Sequence, residues 1–148
     1  MLNKYLQKII IFVVLAVLAA GCSREEPHAA TIAGRWYTEE QVENGHVLFQ
    51  THCASCHGDR AQGLAEDWRK TDADGNYPAP PLNGSAHAWH HPMVVLERTI
   101  ADGGVALGGV MPGFANTLNK DEARASIAYF QSLWTDDTYA RWAEINAR

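Results

Sequence analysis

Cys53-Ala54-Ser55-Cys56-His57 is the stretch on which the reading of this 148-residue chain turns. The chain has three cysteines, and two of them stand here with two residues between them. A disulfide between such close neighbours would close almost no chain and restrain little. A zinc site of four cysteines needs a second pair, which the sequence lacks. A thioredoxin-type redox pair belongs in a βαβ setting, and no strand pattern flanks this one. The histidine directly after the second cysteine decides the matter, because C-x-x-C-H is the attachment signature of c-type haem. Two thiols add across the two vinyl groups of the ring, so the sulphurs must sit about one helical turn apart. The next residue, His57, then falls beneath the iron and offers an imidazole nitrogen as proximal ligand.

Attachment of this kind takes place outside the bacterial cytoplasm, and the start of the chain is that of an exported protein. Lys4 and Lys8 precede an unbroken apolar run from Ile9 to Ala20, followed by Gly21-Cys22. That run is shorter than the roughly 20 residues a membrane-spanning helix needs. A basic start, a short apolar core and small residues at its end mark residues 1–21 as a signal peptide. Leu18-Ala19-Ala20-Gly21-Cys22 resembles a bacterial lipobox, with Ala19 where leucine is more usual. The resemblance implies lipidation of Cys22 and a membrane anchor, since each buried methylene of an acyl chain adds about 0.8 kcal/mol. The plainer alternative is an ordinary signal peptide cut nearby, with Cys22 left as a free thiol. Residues 22–35, rich in Ser, Arg, Glu, Pro and Ala, read as a tether, and residues 36–148 as the domain. The expected location is periplasmic, or otherwise the extracytoplasmic side of a bacterial membrane. The formal net charge of −5 becomes more negative once the two signal lysines are gone, which argues against nucleic acid as a partner.

A second axial ligand must come from the rest of the domain, which holds two methionines, Met93 and Met111. Met93 shares a core-like spacing with Leu96 and Ile100 on an expected helix from Pro92 to Ala101, which suits packing. Met111 lies in Gly108-Gly109-Val110-Met111-Pro112-Gly113, where glycines loosen the backbone and Pro112 turns Met111 away from helical angles. A methionine on such a loop can reach an iron, and Met111 is the expected ligand. The competing set is histidine. His28 lies in the tether, and His46 and His52 fall on the helix that carries the haem motif. His87, His90 and His91 cluster before Pro92, as a ligand source, a metal-like patch or a solvated loop.

Caps and periodicity outline four helices. Thr38 with Gln41 makes a capping box for a helix to about His52, with Val42, Gly45 or His46, and Phe49 on one stripe. Residues 63–85 form a long loop rich in Gly, Pro, Asn and Asp, a length that a haem core would explain. Asn119 with Glu122 caps a helix to about Leu133, with Ala123, Ile127, Phe130 and Trp134 on its buried side. A last helix runs from about Asp136 to Ala147, with Tyr139, Trp142 and Ala143 together. No strand and no repeat emerges, so the expected class is all-α.

From about residue 39 to residue 134 the chain resembles a class I cytochrome c. The resemblance rests on Gly45-His46-Val47-Leu48-Phe49, the motif Cys53 to Gly58, Pro80-Pro81-Leu82-Asn83-Gly84, Met111-Pro112-Gly113-Phe114 and Ala128-Tyr129-Phe130, in the family's order. It implies three core helices around one covalently attached haem c and its iron, with an extra C-terminal helix here. It further implies that Gly45 and Phe49 pack across Tyr129, and that the Pro80 carbonyl holds the free nitrogen of His57. A loop tryptophan in such proteins can donate to a haem propionate; Trp89 is the candidate, against simple packing. Arg69 and Lys70 are further candidates for those carboxylates, against solvated loop charges. The histidines at 87–91 and the helix after Trp134 depart from the smallest members.

A haem with both axial positions filled by protein suits electron passage rather than oxygen or peroxide chemistry. The expected function is that of a monomeric, monohaem electron carrier between respiratory or periplasmic redox partners, with no catalytic residue. Two alternatives remain at this point. One is an electron-entry subunit of a larger dehydrogenase, docked through an exposed face around Tyr139 and Trp142. The other is a haem sensor or peroxidase-like protein, opened by loss of Met111.

Overall fold

The computed structural model describes residues 30–147. Five helices follow in order: α1 (Glu39–His52), α2 (Ala54–His57), α3 (Met93–Asp102), α4 (Lys120–Ser132) and α5 (Asp136–Asn146). Short 3₁₀ turns stand at Ala88–His90 and Val105–Leu107. Among the described residues there is no strand, only isolated bridges between Thr31 and Thr38 and between Tyr77 and Gly109. The protein is all-helical.

The helices start where side chains can satisfy their first amides. Thr38 Oγ1 accepts from the Gln41 amide at 3.1 Å, and Gln41 Oε1 accepts from the Thr38 amide at 3.0 Å. Asn119 Oδ1 accepts from the amides of Asp121 and Glu122, while Glu122 returns a bond to the Asn119 amide at 2.8 Å. Glu39, Glu40, Asp121 and Glu122 place negative charge at these two N-termini, where the helix dipole favours it.

α1 and α4 cross at Gly45. A Cβ there would land on the Ala125 carbonyl, so only glycine permits the two backbones to lie this close. One turn further on, Phe49 meets Tyr129 with ring centroids 5.1 Å apart, above the fully buried Ile127 and Ala128. α3 is tied to α4 at its polar edge, where Glu97 faces both Arg124 and Lys120. α5 lies over the opposite side of the core. Trp142 packs against Trp134 and Tyr139, and its indole donates to the His91 carbonyl at 2.9 Å.

Two boundaries differ from the sequence reading. The motif helix α2 is separate from α1, because Cys53 leaves helical geometry (φ −120°, ψ −34°) while its amide still donates to Phe49. Residues 31–35, expected in the tether, are folded onto the domain. The Ile32 amide bonds to the Tyr37 carbonyl at 2.9 Å, and Ile32 packs on the core. Arg35 pairs with Asp136 and lies 3.9 Å over the Tyr139 ring. The sequence there looks like linker because its anchors, Tyr139 and Asp136, lie a hundred residues away. The signal segment, Cys22 and His28 lie outside the described residues. Among the described residues, no helix is long and apolar enough to cross a membrane.

Candidate functional site

Cys53, Cys56 and His57 open onto one cavity of about 680 Å³, inside the range of roughly 300–1,000 Å³ usual for cofactor sites. The buried His57 imidazole lies with Nδ1 2.9 Å from the Pro80 carbonyl oxygen. A carbonyl can only accept, so Nδ1 carries the proton and Nε2 keeps its lone pair for a ligand. Burial holds the His57 pKa below the ordinary histidine value, with the Pro80 bond pulling partly the other way. The ring is therefore neutral at pH 7, the form that binds a metal. Burial, assisted by the nearby Cys56, pushes the Cys53 thiol up to about 11. No disulfide joins the two cysteines.

The Pro80 carbonyl is held in place by the segment around it. The amides of Leu82 and Asn83 both donate to the Ala61 carbonyl, at 2.7 and 3.1 Å, and the Leu82 carbonyl accepts from the Trp134 indole. Ala61 is completely buried and adopts a left-handed backbone (φ +54°), which turns its carbonyl toward these donors. The Gly63 amide donates to His57 itself at 2.6 Å, closing the loop back onto the motif.

Of the two methionines among the described residues, Met111 lines this cavity and Met93 does not. Met93 is partly buried against the core, with its amide bonded to Asn146. The Met111 loop is clamped to the end of α3. The Met111 carbonyl accepts from Gly104 at 2.9 Å, and the Phe114 amide donates to Ile100 at 2.9 Å. Gly103 stands at φ +83°, where a Cβ would meet the Met111 carbonyl at 2.6 Å. Tyr77 bonds to Gly108, so the long loop and the methionine loop meet at the cavity mouth.

The histidines divide. His46 is exposed and stacks on Tyr129; His52, His87 and His91 line the cavity; His90 does not. Among the described residues, no group of three or more His, Cys, Asp or Glu converges as a metal site, so the metal-like patch at 87–91 does not form. Trp89 is absent from the cavity wall and packs partly buried against the core. The tryptophan on the wall is Trp68, stacked on His87 at 4.6 Å, beside Arg69. Lys70 is not on the wall and stands 3.6 Å from Asp67. Sequence reasoning missed Trp68 because its contact with His87 depends on the path of an irregular loop. The adjacency of an aromatic and a cation at 68–69 was the only local signal.

The sequence matches the family described as cytochrome C oxidase, cbb3-type, subunit III over residues 40–130. The chain belongs to that family. It is a c-type cytochrome, and its cofactor is covalently bound haem c with iron. It is 26% identical over 106 residues to the cbb3-type cytochrome c oxidase subunit CcoP of Azospirillum sp. (strain B510). It is 31% identical over 109 residues to the subunit of the same name from Rhodobacter capsulatus. These alignments cover 72% and 69% of this chain but 33% and 32% of the relatives, so the chain spans about a third of their length. No solved structure matches. The cavity of this c-type cytochrome suits the group: two thiols, a neutral imidazole with one nitrogen free, and a wall that includes Leu82, Leu96, Ile100 and Phe130. The chain's role is electron transfer.

Proposed function

We propose that this cytochrome passes single electrons through a haem c held by His57 and Met111, on the exported side of a bacterial membrane, anchored by lipid on Cys22. The observation that carries the reading is the shared cavity of Cys53, Cys56, His57 and Met111, with the His57 ring tied to Pro80. The order of these elements also supports the likeness to class I cytochromes c. A bound haem supplies an iron that changes oxidation state by one electron, and thioether ligation favours its ferrous form. Cys53 and Cys56 would hold the ring by thioether bonds and His57 would give its Nε2, while Pro80 keeps that imidazole in one tautomer and orientation. Gly103 and Gly104 hold the Met111 loop against α3, so Met111 would be offered to an iron from a braced segment.

The relatives' name supports a place beside a terminal oxidase, with this chain supplying or receiving electrons as a separate carrier. The dehydrogenase-subunit alternative loses its proposed docking face, since Tyr139 and Trp142 are buried within the domain's own core. A different second reading, a stable subunit of an oxidase-type complex, is favoured by the family match. Tyr77, Leu107 and Val110 are exposed at the cavity mouth and offer it an apolar contact.

Absorption spectra of the purified holoprotein and of Met111→Ala test the axial ligands. The wild type should show the weak far-red ferric band of methionine–iron bonding, and the variant should lose it and bind carbon monoxide rapidly when reduced. A band that survives the substitution, or a high-spin wild type, overturns the assignment and revives the sensor or peroxidase-like reading. Size analysis after gentle detergent extraction separates a free carrier from a complex subunit.

A further inference from the structure

We propose that Trp68, Arg69, His87 and His91 form the subsite of the haem cavity that receives a propionate, with His87 as its hydrogen-bond partner. The subsite thereby couples reduction of the iron to proton binding. The inference rests on the haem reading above and deepens it.

The chain is acidic, with 17 Asp and Glu against 12 Lys and Arg, yet no carboxylate lines this cavity. Its wall instead carries Arg69 and four histidines, His52, His57, His87 and His91. His57 is committed to Pro80, and His52 sits beside Cys53 with its ring edge toward Phe114. The other three gather on one side. The Arg69 guanidinium lies 4.5 Å over the Trp68 ring, and Trp68 stacks on His87 with centroids 4.6 Å apart and planes 25° from parallel. The His87 ring stands 5.3 Å from His91 and 5.6 Å from His90, and His90 stacks on His91 at 4.7 Å. The bond from the Trp142 indole to the His91 carbonyl fixes this turn against α5.

Within this group the His87 Nδ1 atom is buried and has no hydrogen-bond partner. Buried polar nitrogens in native proteins are almost always paired, and a haem brings two carboxylates that need donors when buried. The nearest acid, Asp67, lies 3.9 Å from Arg69, beyond hydrogen-bond length, and is not on the wall. An orphaned donor beside a guanidinium whose own acid stands 3.9 Å off, in a cavity whose wall has no acid, matches a carboxylate and little else a haem carries.

The consequence for electron transfer follows from charge. Burial first, then His91, His90 and Arg69, hold the His87 pKa below its ordinary value in the protein alone. A propionate against Nδ1 works in the opposite sense. When a donor's electron reduces ferric iron to ferrous, the cavity loses one positive charge, and His87 takes up a proton from solvent more readily. By reciprocity, the potential must fall as pH rises through the His87 titration.

The test is a redox titration of the holoprotein, followed spectroscopically between about pH 5 and 8. The wild-type reduction equilibrium constant should fall by about five-fold or more across that range. His87→Phe keeps a ring against Trp68 but removes the nitrogen; it should flatten the profile and lower the potential at the acid end. Arg69→Gln, an exposed loop change, should lower the potential at every pH and keep the slope. His90→Gln, off the wall, should keep the pH-dependent fall and move only its midpoint, since His90 acts on His87 through charge alone. The proposal falls if His87→Phe keeps the wild-type profile, or if His90→Gln flattens it equally. Should His87→Phe fail to hold haem, an unchanged potential in Arg69→Gln overturns the subsite. The far-red methionine band in the same spectra reports the axial ligands separately, so its absence in wild type would count against Met111 and not against His87.

Discussion

At the scale of single residues, the crossing of α1 and α4 hangs on Gly45, whose missing Cβ lets the Ala125 carbonyl close in. Backbone lies on both sides of that contact, so neither side chain rotation nor a small shift relieves an added methyl. Gly45→Ala should therefore cost about 3 kcal/mol, the upper end for overpacking, read as a lower urea midpoint of the holoprotein. Glycine in a helix interior costs about 1 kcal/mol relative to alanine, and that anomaly was visible in the sequence beside a strong cap. Phe49 and Tyr129 were visible too, through helical spacing and resemblance. Trp89 was not separable from Trp68 by such means. Both are aromatic residues in irregular chain, and only the folded path of residues 63–91 decides which one faces the cavity.

Helix starts are the features that local sequence states most clearly, because a cap satisfies amides within three residues of itself. The reciprocal bonds of Thr38 with Gln41 and of Asn119 with Glu122 are both present. Asn119→Ala removes the acceptor of two first-turn amides and should lower stability by about 1 kcal/mol, seen as a lower melting temperature with unchanged haem spectra. Helix ends inside the site were less visible. The break between α1 and α2 occurs at Cys53, a residue with no intrinsic preference for ending a helix. Beyond the short motif helix the 58–63 loop closes, with Gly63 bonded back to His57. The methionine loop falls between these cases. Its glycines announced an irregular segment, but its clamp on α3 runs through Ile100, which local pattern assigned to packing, and Ala101, where it ended the helix.

For the molecule as a whole, α5 and the segment at 31–37 clasp each other against the core. The Trp36 amide bonds to the Tyr139 hydroxyl and its indole to Gln131, and Tyr37 is buried between Trp36 and Tyr139. Burial pushes the Tyr37 hydroxyl up to about 12, with Arg35 opposing and Tyr139 and Asp136 assisting. A raised folded pKa keeps the neutral form in the native state, so the linked stability is complete below pH 10 and is lost as pH rises to about 12. The loss amounts to at most about 3 kcal/mol. Tyr37→Phe should lack this component: its urea midpoint should fall less than that of the wild type on going from below pH 10 to about 12. An equal fall in both proteins would remove Tyr37 as the cause.

What the sequence by itself determined are the properties carried by neighbours in the chain. The haem motif at 53–57, the caps at Thr38 and Asn119, the helical stripes and the apolar start all act over a few residues or one helical period. The all-helical class and the haem c cofactor follow from them. Tertiary structure alone decided what depends on residues distant in sequence meeting in space. It set residues 31–35 against α5 and Trp68 against His87, and it brought Pro80 and Met111, already expected from resemblance and loop context, to one cavity with His57. The physical reason is that loops carry no period. Their course is set by hydrogen bonds such as those from Leu82 and Asn83 to Ala61, which exist only once the chain has closed around its cavity.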